Sequence, residues 1–170
     1  TSNPGTGNIY ASKIGAQWFV GRGFLPFDTA SLNGGTLIAG SNTVAIQFNT
    51  DVGGNATVWV IVQSTQASNT NLVNDDFNDL ATVDGGNLNV TTTGLKTFTL
   101  NATGEGWISF AGAFTKLGIR TEKDRANTEP TIDERWQIDF NAGVTPTVLT
   151  VNYPPAPTTG GYRSLLGVGQ

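Results

Sequence analysis

Apolar residues in this chain recur at every second position, and no stretch keeps a helical period over three turns. Strands are then the regular elements able to collect a core, because side chains alternate across a strand but repeat every ~3.6 residues around a helix. Val44, Ile46 and Phe48 point one way, with Thr43, Ala45, Gln47 and Asn49 the other. Phe98 and Leu100 alternate with Thr97, Thr99 and Asn101, and Leu117 and Ile119 with Lys116, Gly118 and Arg120. Trp136, Ile138 and Phe140 oppose Arg135, Gln137 and Asp139, while Leu149, Val151 and Tyr153 oppose Val148, Thr150 and Asn152. The run from Thr57 to Gln63 is apolar on both faces, the mark of a central strand. Clusters of Gly, Asn and Asp separate these runs as turns, as at Asp51-Val52-Gly53-Gly54-Asn55. Short helical turns are expected only at 74–80, capped by Asn74 or Asp75, and at 104–111. The expected fold is all-β: an antiparallel β-sandwich or jelly roll with extended N- and C-terminal arms.

At 170 residues the chain fits one such domain, set at 17–153. Residues 1–16 form an N-terminal arm whose sizeable apolar residues are Ile9, Tyr10 and Ile14. Residues 154–161 are a Pro/Thr/Gly linker, and 162–170 a C-terminal arm carrying Tyr162, Leu165, Leu166 and Val168. Only 13% of residues are charged, so the polarity comes from hydroxyls and amides that suit strands and turns. A formal charge of −4, with nine basic residues and no dense basic cluster, argues against nucleic acid as a partner. The absence of Cys excludes disulfides and thiolate metal sites, and the absence of His removes the commonest catalytic base. The longest uninterrupted apolar run, Val58-Trp59-Val60-Ile61-Val62, is far too short for a membrane span. No signal peptide is visible ahead of Thr1.

Four segments resemble jelly-roll domains related to the DNRLRE type. They are Arg22-Gly23-Phe24-Leu25-Pro26-Phe27-Asp28-Thr29-Ala30-Ser31-Leu32, Phe98-Thr99-Leu100-Asn101-Ala102-Thr103-Gly104, Thr115-Lys116-Leu117-Gly118-Ile119-Arg120, and Pro146-Thr147-Val148-Leu149-Thr150-Val151-Asn152-Tyr153. Their order and spacing extend the resemblance over 17–153. Such domains occur in phage structural proteins, in surface proteins and as carbohydrate-binding modules. The resemblance implies a jelly roll with a non-catalytic, exterior role, and leaves open whether it builds a structure or binds a sugar.

Of the thirteen carboxylates, Asp75, Asp76, Asp79 and Asp84 fall in one loop-like stretch, and Glu122, Asp124, Glu129, Asp133 and Glu134 in another. Nothing in the pattern sets a pair across a cleft as a glycosidase needs, so they read as solvated turns and caps, and the chain as no enzyme. Asn74-Asp75-Asp76-Phe77-Asn78-Asp79 offers oxygen ligands to a structural Ca²⁺ but lacks EF-hand spacing, and a capped turn explains it more simply. No other cofactor is implied. Trp59 and Trp136 read as core, which leaves Trp18 and Trp107 as the candidates for stacking on a sugar ring. Sequons place candidate N-glycosylation at Asn55, Asn89 and Asn101.

Extended, the C-terminal arm would set Tyr162, Ser164, Leu166 and Val168 on one side, able to fill a groove or lengthen a sheet edge in the next copy. The N-terminal arm would do the same with Tyr10, Ser12 and Ile14, or with Ile9 and Ala11; alternatively, either arm covers an edge of its own domain. The resulting expectation is a homopolymeric structural subunit, extracellular or on a cell or virion surface, joined by arm exchange into a filament. The alternative is a carbohydrate- or receptor-binding module with glycans as partners.

Overall fold

The computed structural model describes residues 6–14, 16–32, 35–51, 56–139 and 147–154. The alternating runs form antiparallel strands: β1 (Thr6–Ile14), β2 (Gln17–Gly21), β3 (Gly23–Asp28), β4 (Thr43–Asp51), β5 (Thr57–Gln63), β6 (Asn87–Val90), β7 (Gly94–Thr99), β8 (Phe114–Thr121), β9 (Glu134–Asp139) and β10 (Val148–Thr150). One sheet has four strands in the order β3-β8-β5-β6. The other has six, in the order β10-β4-β9-β1-β2 with β7 on the far side of β4. The layers β1-β9-β4-β7 and β3-β8-β5-β6 reproduce the strand order of a double-sheet jelly roll. The protein is an all-β antiparallel sandwich.

The inward faces are those the alternation marks. Val44, Ile46 and Phe48 of β4, Phe98 of β7, and Trp136 and Ile138 of β9 meet Trp59 and Ile61 of β5 and Leu117 and Ile119 of β8, all fully buried. Each such side chain contributes about 1.5–3 kcal/mol by leaving water. Phe48 is the hub: its ring lies edge-on to Trp59 at 5.6 Å and to Trp136 at 5.8 Å. β5 buries its second face too, because Val60 and Val62 pack under Leu80 and Phe24. The segment between β5 and β6 thus covers the outer face of the four-stranded sheet. It approaches closely where Gly118 lies beneath Leu80, since a Cβ there would stand 2.4 Å from Leu80 Cδ2.

Four expectations need correction. The domain does not begin at Gln17: β1 runs inside the six-stranded sheet, between β9 and β2. The turn Asn74–Asn78 is 3-10 and uses neither expected cap; Asp76 Oδ2 instead accepts from the Val73 amide at 2.8 Å. The second helical turn, α1 (Ala102–Glu105), starts earlier because Asn101 Oδ1 accepts from the Thr103 and Gly104 amides, each at 3.0 Å. A third, α2 (Glu122–Arg125), is capped by the Thr121 hydroxyl. Among the described residues no helix is long and apolar enough to cross a membrane.

Candidate functional site

β1 is held on both sides. Its register with β9 runs from Thr6↔Asp139 through Ile9↔Trp136 to Ala11↔Glu134, and with β2 from Tyr10↔Gly21 to Ile14↔Gln17. Two paired edges explain how so polar a stretch enters the sheet: Ala11 and Ser12 are both buried, and Tyr10 is half-buried. β2 pairs with no described strand except β1, so the sheet ends in an edge able to accept another strand. That edge displays Trp18 and Phe19, 40% and 41% exposed, on opposite faces. Under the seam, Glu134 is buried opposite Ala11; burial pushes its carboxyl above the usual range, with Lys123 pulling it back.

The step from β2 to β3 is clamped. Arg22, the residue between them, grips Asp124 with Nε and Nη2 at 2.8 and 2.7 Å, and its guanidinium lies 4.1 Å over the Phe77 ring. Arg120 binds the same carboxylate at 2.7 Å and donates to the Leu80 and Ala81 carbonyls. Burial alone would raise the Asp124 carboxyl, but the hydrogen bonds and charges of Arg22 and Arg120 outweigh it and hold the carboxyl below the usual range. This cluster locks the covering loop, α2 and the β2–β3 crossover together.

A groove of about 350 Å³ lies at one end of the sandwich. Its apolar wall is Phe27, Leu32, Leu149, Val151 and Tyr153, and Asp28, Thr29 and Ser31 line it as well. The geometry of β10 creates it. β10 and β9 pair with the same side of β4, at Val148↔Ala45 and Gln47↔Asp139 respectively, while β1 accompanies only β9. No described strand pairs with the other side of β10, and β3 has no described partner except β8. The residues after β10 are tied down: the Asn152 amide donates to Asn42 Oδ1 at 2.8 Å, and Asn42 Nδ2 donates to buried Glu105 at 2.6 Å. Tyr153 closes the wall edge-on against Phe110 at 6.3 Å.

The remaining candidates fall apart in space. Tyr162, Leu165, Leu166, Val168 and Asn55 lie outside the described residues, and of Ile9 and Ile14 only the backbone register is described. Trp107 is half-buried over Gly85, where a Cβ would sit 2.0 Å from its Cζ3. Asn101 is engaged as the α1 cap, and its Nδ2 also donates to the Asp84 carbonyl at 3.0 Å. Asn89 is exposed on β6, the edge of the four-stranded sheet. Asp76 is buried and Asp75 exposed; among the described residues no group of three or more acidic side chains is placed to hold a metal.

The sequence reading of carboxylates as solvated is corrected at Asp76, Asp124 and Glu134, all buried, and Glu105, which the sequence did not single out, is buried too. Their partners are far away in sequence: 102 residues separate Arg22 from Asp124, and 63 separate Asn42 from Glu105. The one local signal was Arg22 beside the β2–β3 junction, an arginine at a sheet crossover where a buried partner is needed. Comparison with known proteins finds no matching family model, no matching curated protein and no matching solved structure.

Proposed function

We propose that this chain is a non-enzymatic structural subunit of an extracellular or virion-surface assembly, its jelly roll related to the DNRLRE type and its copies joined into a filament by strand exchange. One observation supports the reading above the rest: β1 fills a lane between β9 and β2 and leads into β2 through residues 15 and 16. A copy of β1 from another subunit would make the same ladder in that lane, so exchange costs few contacts. Each subunit would give β1 to the next and receive one from the last, a heterologous contact that does not close. The Arg22 clamp keeps β2 and β3 in place while the strand is away.

The test is microscopy of the full chain beside a variant carrying Ala11→Asp, which puts a charge into the dry lane. Filaments from the parent and only monomers from a variant with an intact circular-dichroism spectrum are expected. Filaments of equal length from the variant contradict the reading. A glycan- or receptor-binding module is the second reading, favoured by the exposure of Trp18. It predicts a monomer or closed trimer whose glycan affinity disappears in Trp18→Ala.

A further inference from the structure

We infer that the groove beside β10 takes residues 162–168 of a second copy as an added strand. The inference rests on the assembly reading above. It concerns a different contact from the β1 lane, so it would knit each subunit to its neighbour at two places.

The groove has the features a strand requires. β10 presents an edge with no described strand on it, and the half-buried Leu149, Val151 and Tyr153 point from β10 and its continuation into the gap above Phe27 and Leu32. Backbone groups along such an edge give affinity to any strand, and alternate side chains in the groove choose which one. Part of the polar lining is spent on the fold: the Thr29 hydroxyl pairs with that of Thr115 at 3.3 Å, and Asp28 Oδ1 accepts from the Ala30 amide at 3.0 Å. Asp28 Oδ2 is left as the acceptor at the wall.

Residues 162–168 match this surface. In strand conformation Tyr162, Leu166 and Val168 share one side, and Arg163 is the only charged residue between 155 and 170. A strand with one arginine thus meets a groove of mixed lining that keeps one open carboxylate oxygen. Residues 1–5, Thr-Ser-Asn-Pro-Gly, offer no large apolar side chain to the same place. The chain's own segment is a poorer occupant than a neighbour's. Tyr153 already forms the groove wall, and a linker containing Pro154, Pro155 and Pro157 is stiff by composition, which disfavours doubling back onto the same wall.

Because the chain contains no cysteine, single thiols report the contact cleanly. Full-length Ser31→Cys is mixed with full-length Ser164→Cys under assembly conditions and oxidised. The expected product is a disulfide dimer containing one copy of each, blocked by excess synthetic peptide of residues 162–170. Asp28→Arg and Arg163→Asp should each raise the concentration needed for assembly about tenfold, and the two changes together should restore it. If the doubly substituted Ser31→Cys, Ser164→Cys chain closes instead into an intramolecular disulfide as a monomer, the segment occupies its own groove and the inference is overturned. It is also overturned if the parent chain assembles but the mixed thiols do not couple, an outcome that leaves the assembly reading standing. A parent chain that stays monomeric at every concentration removes both.

Discussion

The two sheets treat their margins differently. The outer face of the four-stranded sheet is covered: Val60 and Val62 lie under Leu80 and Phe24, and Arg22, Asp124 and Arg120 lock the cover in place. The six-stranded sheet ends in β2, whose outer edge no described strand occupies and whose Trp18 and Phe19 face water. Both sheets have edge strands, but one invests its charges in covering its outer face, while the other leaves aromatic rings exposed beside its β2 edge. That asymmetry supports an account in which the first sheet is the scaffold and the second, with its inserted β1, is the coupling device.

The comparison breaks most severely at Asp124. Asp124→Ala leaves the buried guanidinium of Arg120 and the half-buried one of Arg22 without their shared counter-charge, and should cost about 3–5 kcal/mol in urea unfolding. Its acid dependence has a definite sign. The folded carboxyl titrates below its ordinary range, so it contributes stability above that range, and the contribution is lost as pH falls through the lowered value. Arg22→Lys keeps the charge but loses the two-pronged grip, and should recover only part of the parent stability.

Glu134 sharpens the contrast because it runs the other way. Burial raises its folded carboxyl, so its contribution is full below the ordinary glutamate range and is lost as pH rises through the raised value. Glu134→Gln should therefore raise the urea midpoint at neutral pH, by less than Asp124→Ala lowers it, and flatten the dependence between mildly acidic and neutral pH. Hydrogen exchange of the β1 amides should slow in the same variant. Unchanged exchange would detach Glu134 from the seam it lies under.

The smallest effect on stability is expected at the open edge. Phe19→Ser removes a ring that is already partly exposed at the sheet edge and should lower the unfolding free energy by less than Asp124→Ala does. Assembly, measured by light scattering, should nevertheless weaken. A variant that unfolds readily would show that the ring serves the fold and not the edge.

Much of this architecture is legible in the sequence where packing follows the strand period. Val44-Ile46-Phe48, Leu117-Ile119 and Trp136-Ile138 are the core, and the doubly apolar β5 is an interior strand with a covered outer face. β1 is not legible, for a physical reason. Thr6–Ile14 carries Gly, Asn, Ser and Lys among its apolar residues, and its place in the sheet comes from two flanking backbone edges, with small Ala11 and Ser12 fitting where space is tight. The groove escapes the sequence too. It arises because β9 and β10 share one side of β4 while β1 follows only β9, a matter of register that no single segment encodes.

The central claim is that β1 crosses between copies, and the ladder across Tyr10↔Arg135 gives direct access to it. Tyr10→Cys and Arg135→Cys are introduced together, the protein is assembled and oxidised, and the product is separated by non-reducing denaturing electrophoresis. Strand exchange predicts a covalent ladder of dimers, trimers and longer species that collapses to monomer on reduction. Assembled material that yields only internally bridged monomers would contradict it.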